Sequence, residues 1–289
     1  MEKKIKNKFS GDKESFIKNW RTRKEKFYNQ WLRGEPKNQV QLAFRNHWEV
    51  FQELLKNRLF NKGKRCLEVG CGRGSISAYF CDAGYDCTLL DISPEVIEVA
   101  KGIFKQNKLK AKFKVGDANN LPFKDNSFDV IVSIGLLEHF QNIETPIKEQ
   151  IRALDKGGIL IGYVVPKYKN NIQKDYVWIN EILKGYTKEE ESTSYKMGLF
   201  RSDFPSKVYR KIFKKYKLRN VSSSGIYVLP MVSHSIDFPF TLMPKESELA
   251  VVKYFKKIIE IRRKKIKKHP WLCKEGVGQA FLIWGFKQK

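Results

Sequence analysis

The chain has 289 residues, of which 42% are hydrophobic and 30% charged, a composition typical of globular proteins and unlike disordered or collagen-like chains. Its longest apolar runs, near residues 130–137 and 158–165, reach about half the ~20 residues that a membrane span needs, so they predict buried strands. Five cysteines without a C-x-x-C spacing favour neither a disulfide framework nor a zinc site, and no metal is expected. Residues 1–8 show no apolar signal segment, so we expect a cytoplasmic protein.

The formal net charge of +25 is unevenly distributed along the chain. Residues 1–64 carry 17 basic and 7 acidic residues, a net charge of +10. Residues 65–165 carry 12 and 13, a net charge of −1, and residues 166–289 carry 27 and 11, a net charge of +16. Two interpretations stay open, namely a lysine-rich solvated surface or basic flanks that face an anionic partner.

The apolar pattern predicts two amphipathic helices, at residues 14–32 and 40–60, before the first strand. Strands and helices then alternate, which predicts an α/β, Rossmann-like doubly wound sheet. The predicted strands are residues 65–70, 87–90, 112–115, 128–133, 158–165, 219–229 and 280–286. Helices are predicted at 75–83, from Ser93 and Pro94 onwards, and at 246–268. We divide the chain into an N-terminal helical segment (1–62), a cofactor-binding core (63–166) and the rest of the sheet with its insertions (167–289), together one catalytic domain.

Glycines and acids stand where three successive predicted strands end. The first strand runs into EVGCGRG at residues 68–74, and glycines there let the backbone approach a ligand closely. Asp91 ends the second strand, where an acidic side chain can accept hydrogen bonds from both ribose hydroxyls. Asp117 ends the third strand, where it can meet an adenine edge. The three groups converge on the carboxyl edge of the sheet, although G-x-G-x-G is not the dinucleotide fingerprint.

The same residues resemble a known family, the class I S-adenosylmethionine-dependent methyltransferases. EVGCGRG is similar to the first motif of that class, and LPFKDNSFDVIVS at 121–133 resembles the fourth-strand signature of its methyltransferase type 11 group. LEHF at 137–140 and LDKGG at 154–158 match the segments that follow. The resemblance covers about residues 64–166. It implies a seven-stranded sheet with the last strand antiparallel, and a methyl transfer that converts S-adenosyl-L-methionine to S-adenosyl-L-homocysteine.

The resemblance also implies a role for particular residues at the cofactor. They support or line its methionine part, hold its ribose, meet its adenine or lie beneath it: Glu68, Gly70, Cys71, Gly72, Gly74, Asp91, Ile92, Asp117, Ala118, Ser133 and Ile134. Gly74 and Ile92 also have a plain packing interpretation. His139 is the best-placed candidate for a catalytic base, against the alternative that it caps a helix or packs near the pocket. His269, beside two lysines, is predicted to lie on the surface.

Several functions stay open for the sequence. A small-molecule or lipid-like acceptor is the leading prediction, and a helical, aromatic lid from the flanks would cover it. An RNA methyltransferase that uses the basic flanks is the first alternative, although it lacks the Asn/Asp-Pro-Pro-aromatic and Pro-Cys signatures. A non-catalytic cofactor-fold subunit and a nucleotide-dependent dehydrogenase are the others. The basic helix predicted at 246–268 either packs as part of the lid or lies peripherally on an anionic membrane surface, with nucleic acid the less favoured partner.

Overall fold

A computed structural model describes residues 31, 33–56, 63–167, 200–230 and 244–288 of the chain. The helices are α1 (Gln39–Leu55), α2 (Ser75–Asp82), α3 (Pro94–Gln106), α4 (Glu144–Ala153), α5 (Ser206–Lys215) and α6 (Lys245–Lys265). The strands are β1 (Arg65–Val69), β2 (Asp86–Asp91), β3 (Lys112–Val115), β4 (Phe128–Ile134), β5 (Leu154–Val164), β6 (Arg219–Ile226), β7 (Leu272–Cys273) and β8 (Ala280–Phe286). A single 3₁₀ turn, Leu137–His139, follows β4.

The strands form one mixed sheet in the order β3-β2-β1-β4-β5-β8-β6-β7. Strands β1 to β5 pair in parallel, while β8 runs antiparallel to both β5 and β6. This confirms the predicted Rossmann-like α/β class with an antiparallel last strand. The predicted count of seven strands was short by one, because β7 has only two residues, too few for a periodic signal, and pairs with the end of β6.

The central strands are buried on both faces, as parallel strands between helices require. Val130 and Val132 of β4 belong to a core shared with α1, α2, α3 and α6, whereas Ile131 belongs to a second core under α4 and α5. At the start of α3, the Ser93 Oγ accepts a hydrogen bond from the Val96 N–H, with Pro94 in the first turn, as the sequence predicts. The two layers leave the carboxyl ends of β1, β2 and β4 side by side.

Two flanking helices pack on the first of these cores. Helix α1 begins at Asn38, whose side chain accepts the Gln41 N–H at 2.9 Å, and it ends at Leu55, short of the predicted residue 60. Its Trp48 ring lies against the Phe80 ring of α2, with ring centroids 4.9 Å apart. Residues 57–60, and the helix predicted over 14–32 apart from residue 31, lie outside the described residues.

Helix α6 packs against α1 through the apolar stripe that its sequence predicts. Val252, Phe255 and Ile259 are buried, and the Gln39 N–H donates to the buried carboxylate of Glu248 at 3.0 Å. The helix ends at Lys265, so Ile266, which was predicted to extend the stripe, lies beyond it. None of the helices in the described ranges combines the length and the apolar character that crossing a membrane requires.

Candidate cofactor and acceptor site

The glycine turn after β1 is bonded to the end of β2. The N–H groups of Gly70 and Cys71 donate to the Leu90 carbonyl at 2.8 and 3.0 Å. Gly70 and Gly72 have φ angles of +69° and +52°, in the left-handed region that disfavours residues with a Cβ. A Cβ on Gly70 would lie 2.7 Å from a methyl group of Leu136, in the loop after β4. The glycines therefore let two loops approach each other at the carboxyl edge.

Gly74 has a different environment from the other two glycines of the turn. A Cβ at this position would lie 2.5 Å from a Leu89 methyl group and 2.8 Å from the Phe104 ring. Both partners are core residues, on β2 and α3. The geometry therefore supports the packing interpretation of Gly74, which lets α2 begin directly on the sheet.

Glu68 is a buried acid directly beneath the turn. Its Oε2 accepts hydrogen bonds from the Ser77 N–H at 3.1 Å and from the Ser77 Oγ at 2.5 Å, which ties β1 to the first turn of α2. Burial raises the pKa of Glu68 to about 8, against the lowering effect of the Ser77 hydrogen bonds. In the absence of ligand, this carboxyl group therefore holds a proton near neutral pH.

Asp91, at the end of β2, connects the turn to the following helix. Its Oδ2 accepts the Gly72 N–H and its Oδ1 accepts the Ser93 N–H, each at 3.1 Å. Burial raises the pKa of Asp91 to about 6, although these backbone donors lower it. Ile92, next in the chain, is half-buried. Asp91, the residue predicted to bind the ribose, therefore lies against the glycine turn that is predicted to line the methionine part of the cofactor.

The residues that follow β3 lie at the same carboxyl edge of the sheet. The Gly116 N–H donates to the Asp91 carbonyl at 2.9 Å, so the residues after β3 lie beside the end of β2. Asp117 is exposed, and its Oδ1 accepts the Asn119 N–H at 2.8 Å within its own turn. Ala118 is buried. The structure therefore groups Asp117 and Ala118 with Asp91, on the adenine side of the predicted site.

The end of β4 contributes Ser133 and Ile134. Ser133 is buried, and its Oγ has no hydrogen-bond partner among the described residues. Ile134 is half-buried and packs on the first core. The next residue, Gly135, donates its N–H to the Tyr163 carbonyl at 2.9 Å, which joins the ends of β4 and β5.

His139 lies at the end of the 3₁₀ turn that follows β4, and it is half-buried. Its Nδ1 lies 2.8 Å from the carbonyl oxygen of Phe200. Because a carbonyl can only accept, this contact assigns the proton of the neutral ring to Nδ1 and leaves the lone pair on Nε2. The tautomer is the one that a general base acting through Nε2 needs.

Two other histidines have the opposite tautomer. The His47 Nδ1 accepts the indole N–H of Trp271 at 2.9 Å, and burial lowers the pKa of His47 to about 3. The His269 Nδ1 accepts the backbone N–H of Trp271 at 3.2 Å, and its Nε2 lies 3.2 Å from Glu49. The prediction that His269 lies on the surface is wrong, because Glu49 of α1 covers it. Among the histidines in the described ranges, only His139 makes contacts that leave an unprotonated ring nitrogen available as a base.

Sequence reasoning missed Glu138, the neighbour of His139. Glu138 is fully buried, its Oε1 accepts the Val165 N–H at 3.2 Å, and its Oε2 has no hydrogen-bond partner in the part of the chain that the structure describes. Burial raises the pKa of this carboxyl group. The Glu138 carbonyl accepts the Ser202 N–H at 2.8 Å, so residues 200–202 return over this turn. The sequence signal that could have identified Glu138 is an acidic residue in a short segment bounded by the apolar Leu137 and Phe140.

Residues 67–162 match a family model described as a methyltransferase domain. This segment contains the glycine turn, the acids at the strand ends and the turn that carries His139. The family-model match and the methyltransferase relatives support a class I S-adenosylmethionine-dependent methyltransferase domain in this segment, the class to which the order of its motifs also points. The match covers a third of the chain and leaves α1, α5 and α6 outside it.

Curated relatives overlap the chain over a similar length. Norajmaline N-methyltransferase of Rauvolfia serpentina is 39% identical over 103 residues, which are 35% of this chain and 35% of that protein. The ubiquinone biosynthesis O-methyltransferase of Pelagibacter ubique is 39% identical over 99 residues, 34% of this chain and 41% of that protein. The sterol 4-C-methyltransferase of Caenorhabditis elegans is 32% identical over 112 residues, 38% and 33% of the two chains. The chain thus spans roughly a third to two fifths of these relatives' length.

Solved structures share the fold at low identity. Phosphoethanolamine N-methyltransferase 2 of Haemonchus contortus, solved with phosphomonomethylethanolamine and S-adenosylhomocysteine, has a TM-score of 0.53 and 16% identity, and the match covers 96% of this chain and 58% of that one. The YcgJ protein of Bacillus subtilis has a TM-score of 0.51 and 19% identity, with 85% and 99% covered. These likenesses show that the shared fold extends beyond the segment matched by the family model.

Proposed function

We propose that the chain transfers a methyl group from S-adenosylmethionine to a small-molecule or lipid-like acceptor. The observation that carries the proposal is the pair of buried acids, Glu68 and Asp91, at the glycine turn of a methyltransferase domain. The Asp91 carboxylate disfavours a phosphate group beside it at neutral pH, whereas the sulfonium and ammonium groups of S-adenosylmethionine are cations. The residues present therefore fit this cofactor better than NAD or FAD.

In this proposal each strand end has a separate task. The Gly70–Gly72 backbone, including Cys71, lines the methionine part, and Glu68 holds that backbone through α2. Asp91 accepts the ribose hydroxyls, Ile92 packs on the adenine, and Asp117 and Ala118 meet the adenine edge. Ser133 and Ile134 lie beneath the cofactor, where the unpartnered Ser133 Oγ is available to a ligand or to water.

The chemistry that the chain must add is modest. When bound, S-adenosylmethionine supplies an electrophilic methyl group and a good leaving group. Holding an acceptor in line with that methyl group contributes up to about 7–11 kcal/mol. An acceptor hydroxyl or ammonium group must also lose a proton, and the His139 Nε2 lone pair can accept it. The Phe200 carbonyl, by accepting the Nδ1–H, keeps the lone pair of the neutral ring on Nε2.

Cofactor choice is tested first. Purified protein should retain tritiated S-adenosylmethionine on a filter and should not retain tritiated NADH, since the Asp91 carboxylate at the glycine turn disfavours a pyrophosphate beside it. Unlabelled S-adenosylhomocysteine should displace the label. Retention of NADH in place of S-adenosylmethionine would contradict the proposal.

Catalysis is tested with acceptors of the classes that the relatives' names suggest: an alkaloid amine, a quinol-type phenol and a sterol. Release of S-adenosylhomocysteine should depend on one of these. Methyl transfer to total RNA alone would favour the RNA alternative. Cofactor retention without turnover on any acceptor, including RNA, would favour a non-catalytic subunit.

A further inference from the structure

On helix α6, Tyr254 and Ile261 form a second apolar stripe away from the buried one, and Leu249 is exposed on another side of the helix. Leu249, Tyr254 and Ile261 are 42%, 65% and 45% exposed. Three of the four large hydrophobic side chains exposed in the described ranges are therefore on this one helix, the fourth being Val115. Tyr254 and Ile261 are seven residues apart, two helical turns, so they lie on one line along the helix.

Cations flank this outer stripe. Lys264 and Lys265 lie one helical turn after Ile261, and Lys253 lies one turn after Leu249. All three are exposed, and the described residues contain no acidic partner for them. Lys267 and Lys268 continue the cluster beyond the helix end. Other cations of the helix are paired: Lys256 with Glu35, Lys257 with Glu260 and Arg263 with Glu49. The unpaired lysines thus face solvent together with the exposed apolar side chains.

We propose that this outer face of α6 docks on an anionic phospholipid surface. Aliphatic and aromatic side chains between lysines suit the boundary between headgroups and acyl chains, where each cation near the surface gains about fivefold in binding. Nucleic-acid phosphates would use the lysines and give no reason for exposed Ile261 and Leu249. The site is separate from the buried stripe of α6, and the proposal does not depend on methyl transfer.

Helix α5 provides an internal comparison. It also exposes cations, among them Lys207, Arg210, Lys211 and Lys214. Its apolar residues are however turned inward, with Tyr209 and Phe213 fully buried. Helix α5 therefore offers charge without exposed apolar side chains, and we expect it to contribute little to docking.

The test is co-sedimentation of the full chain with vesicles of phosphatidylcholine alone and of phosphatidylcholine mixed with phosphatidylserine, at low and moderate salt. The parent should bind the anionic vesicles only. Tyr254→Ser with Ile261→Ser, which keeps every cation, should weaken binding about tenfold. Lys264→Glu with Lys265→Glu should weaken it by about 25-fold or more, at about fivefold per cation. Lys211→Glu with Lys214→Glu in α5 is the charge-matched control and should retain binding within about threefold.

All substituted side chains are exposed, so unchanged thermal unfolding should accompany each variant. Three outcomes would overturn the proposal: no binding of the parent to anionic vesicles at low salt, an equal loss in the α5 control, or full binding by the Tyr254/Ile261 variant. A gel shift with RNA that depends on the same lysines, without vesicle binding, would assign the face to nucleic acid.

Discussion

The cofactor end of the sheet and the contact between α1 and the loop before β7 bury ionisable groups of opposite kinds. The first buries two acids, Glu68 and Asp91, whose pKa values burial raises to about 8 and about 6. The second buries a base, His47, whose pKa burial lowers to about 3. The two acids lie beside the predicted site of a cationic cofactor, whereas the His47 Nδ1 accepts a hydrogen bond from the Trp271 indole N–H. Near neutral pH the first region therefore keeps one ionised acid, Asp91, for ligand binding, whereas the buried His47 of the second is neutral.

The largest effect is expected from a branched side chain in the glycine turn. Gly72→Val should abolish measurable S-adenosylmethionine binding, because valine resists the positive φ and would occupy space beside the cofactor. Titration calorimetry measures this. Gly84→Val is the matched control, since Gly84 also has a positive φ but has open space around it and lies away from the carboxyl edge. Equal loss in both variants would attribute the effect to unfolding.

The dependence of stability on pH should differ between the two regions. Glu68 has a folded pKa of about 8 and an ordinary value near 4.5, so the folded protein retains a proton that the unfolded chain releases. The free energy of unfolding of the ligand-free protein should therefore include a contribution from Glu68 that falls as pH rises from 4.5 towards 8, by up to about 1.4 kcal/mol per pH unit. Glu68→Gln should remove that term in urea titrations.

His47 should act in the opposite direction. Its folded pKa is lowered, so its contribution is lost as pH falls from 6.5 towards 3. His47→Gln should remove a rise of stability with pH between 3 and 6.5, while Glu68→Gln should remove a fall of stability with pH between 4.5 and 8. If the two variants change the slope of the profile in the same direction, the contrast between the regions is wrong.

His139 is expected to affect turnover without affecting cofactor affinity. His139→Ala should lower kcat about a hundredfold on a hydroxyl or amine acceptor that must lose a proton. The dissociation constant of S-adenosylmethionine should stay unchanged. His139→Gln is the informative companion, because it can still donate to the Phe200 carbonyl but supplies no base. Parental activity of the Gln variant across pH would leave His139 a structural residue.

Sequence reasoning succeeded where the signal is local. The strands at 112–115 and 280–286 have the predicted bounds, and the motif at 68–74 lies at one strand end. It failed where distant residues decide. His269 is beside two lysines but is covered by Glu49, 220 positions away. Similarly, β5 begins at Leu154, ahead of the predicted residue 158, because Leu154 pairs with Phe128 and the polar residues up to Gly158 are accommodated by a register shift before Ile159 pairs with Val130. The site roles themselves remain predictions.

Asp91→Ala sharpens the assignment of the ribose. Loss of a charged acceptor should weaken S-adenosylmethionine binding by about 1.5–3 kcal/mol in calorimetric titration. Asp86→Ala is the control, because Asp86 begins the same strand, is exposed and pairs with Lys112 away from the carboxyl edge. Unchanged affinity in a folded Asp91 variant would refute the ribose assignment.

The smallest effect is expected at the α1 contact. Trp271→Phe keeps a ring stacked on Tyr227, where the centroids are 4.8 Å apart, but removes the N–H that His47 accepts. The buried Nδ1 is then left without its donor, which should cost about 1–2 kcal/mol of unfolding free energy in urea. Trp284→Phe on β8 is the control, because no indole hydrogen bond is lost there, and it should cost less. Cofactor affinity should be the same in both variants, since neither residue touches the glycine turn. A loss of cofactor affinity in Trp271→Phe would show that the two regions are coupled.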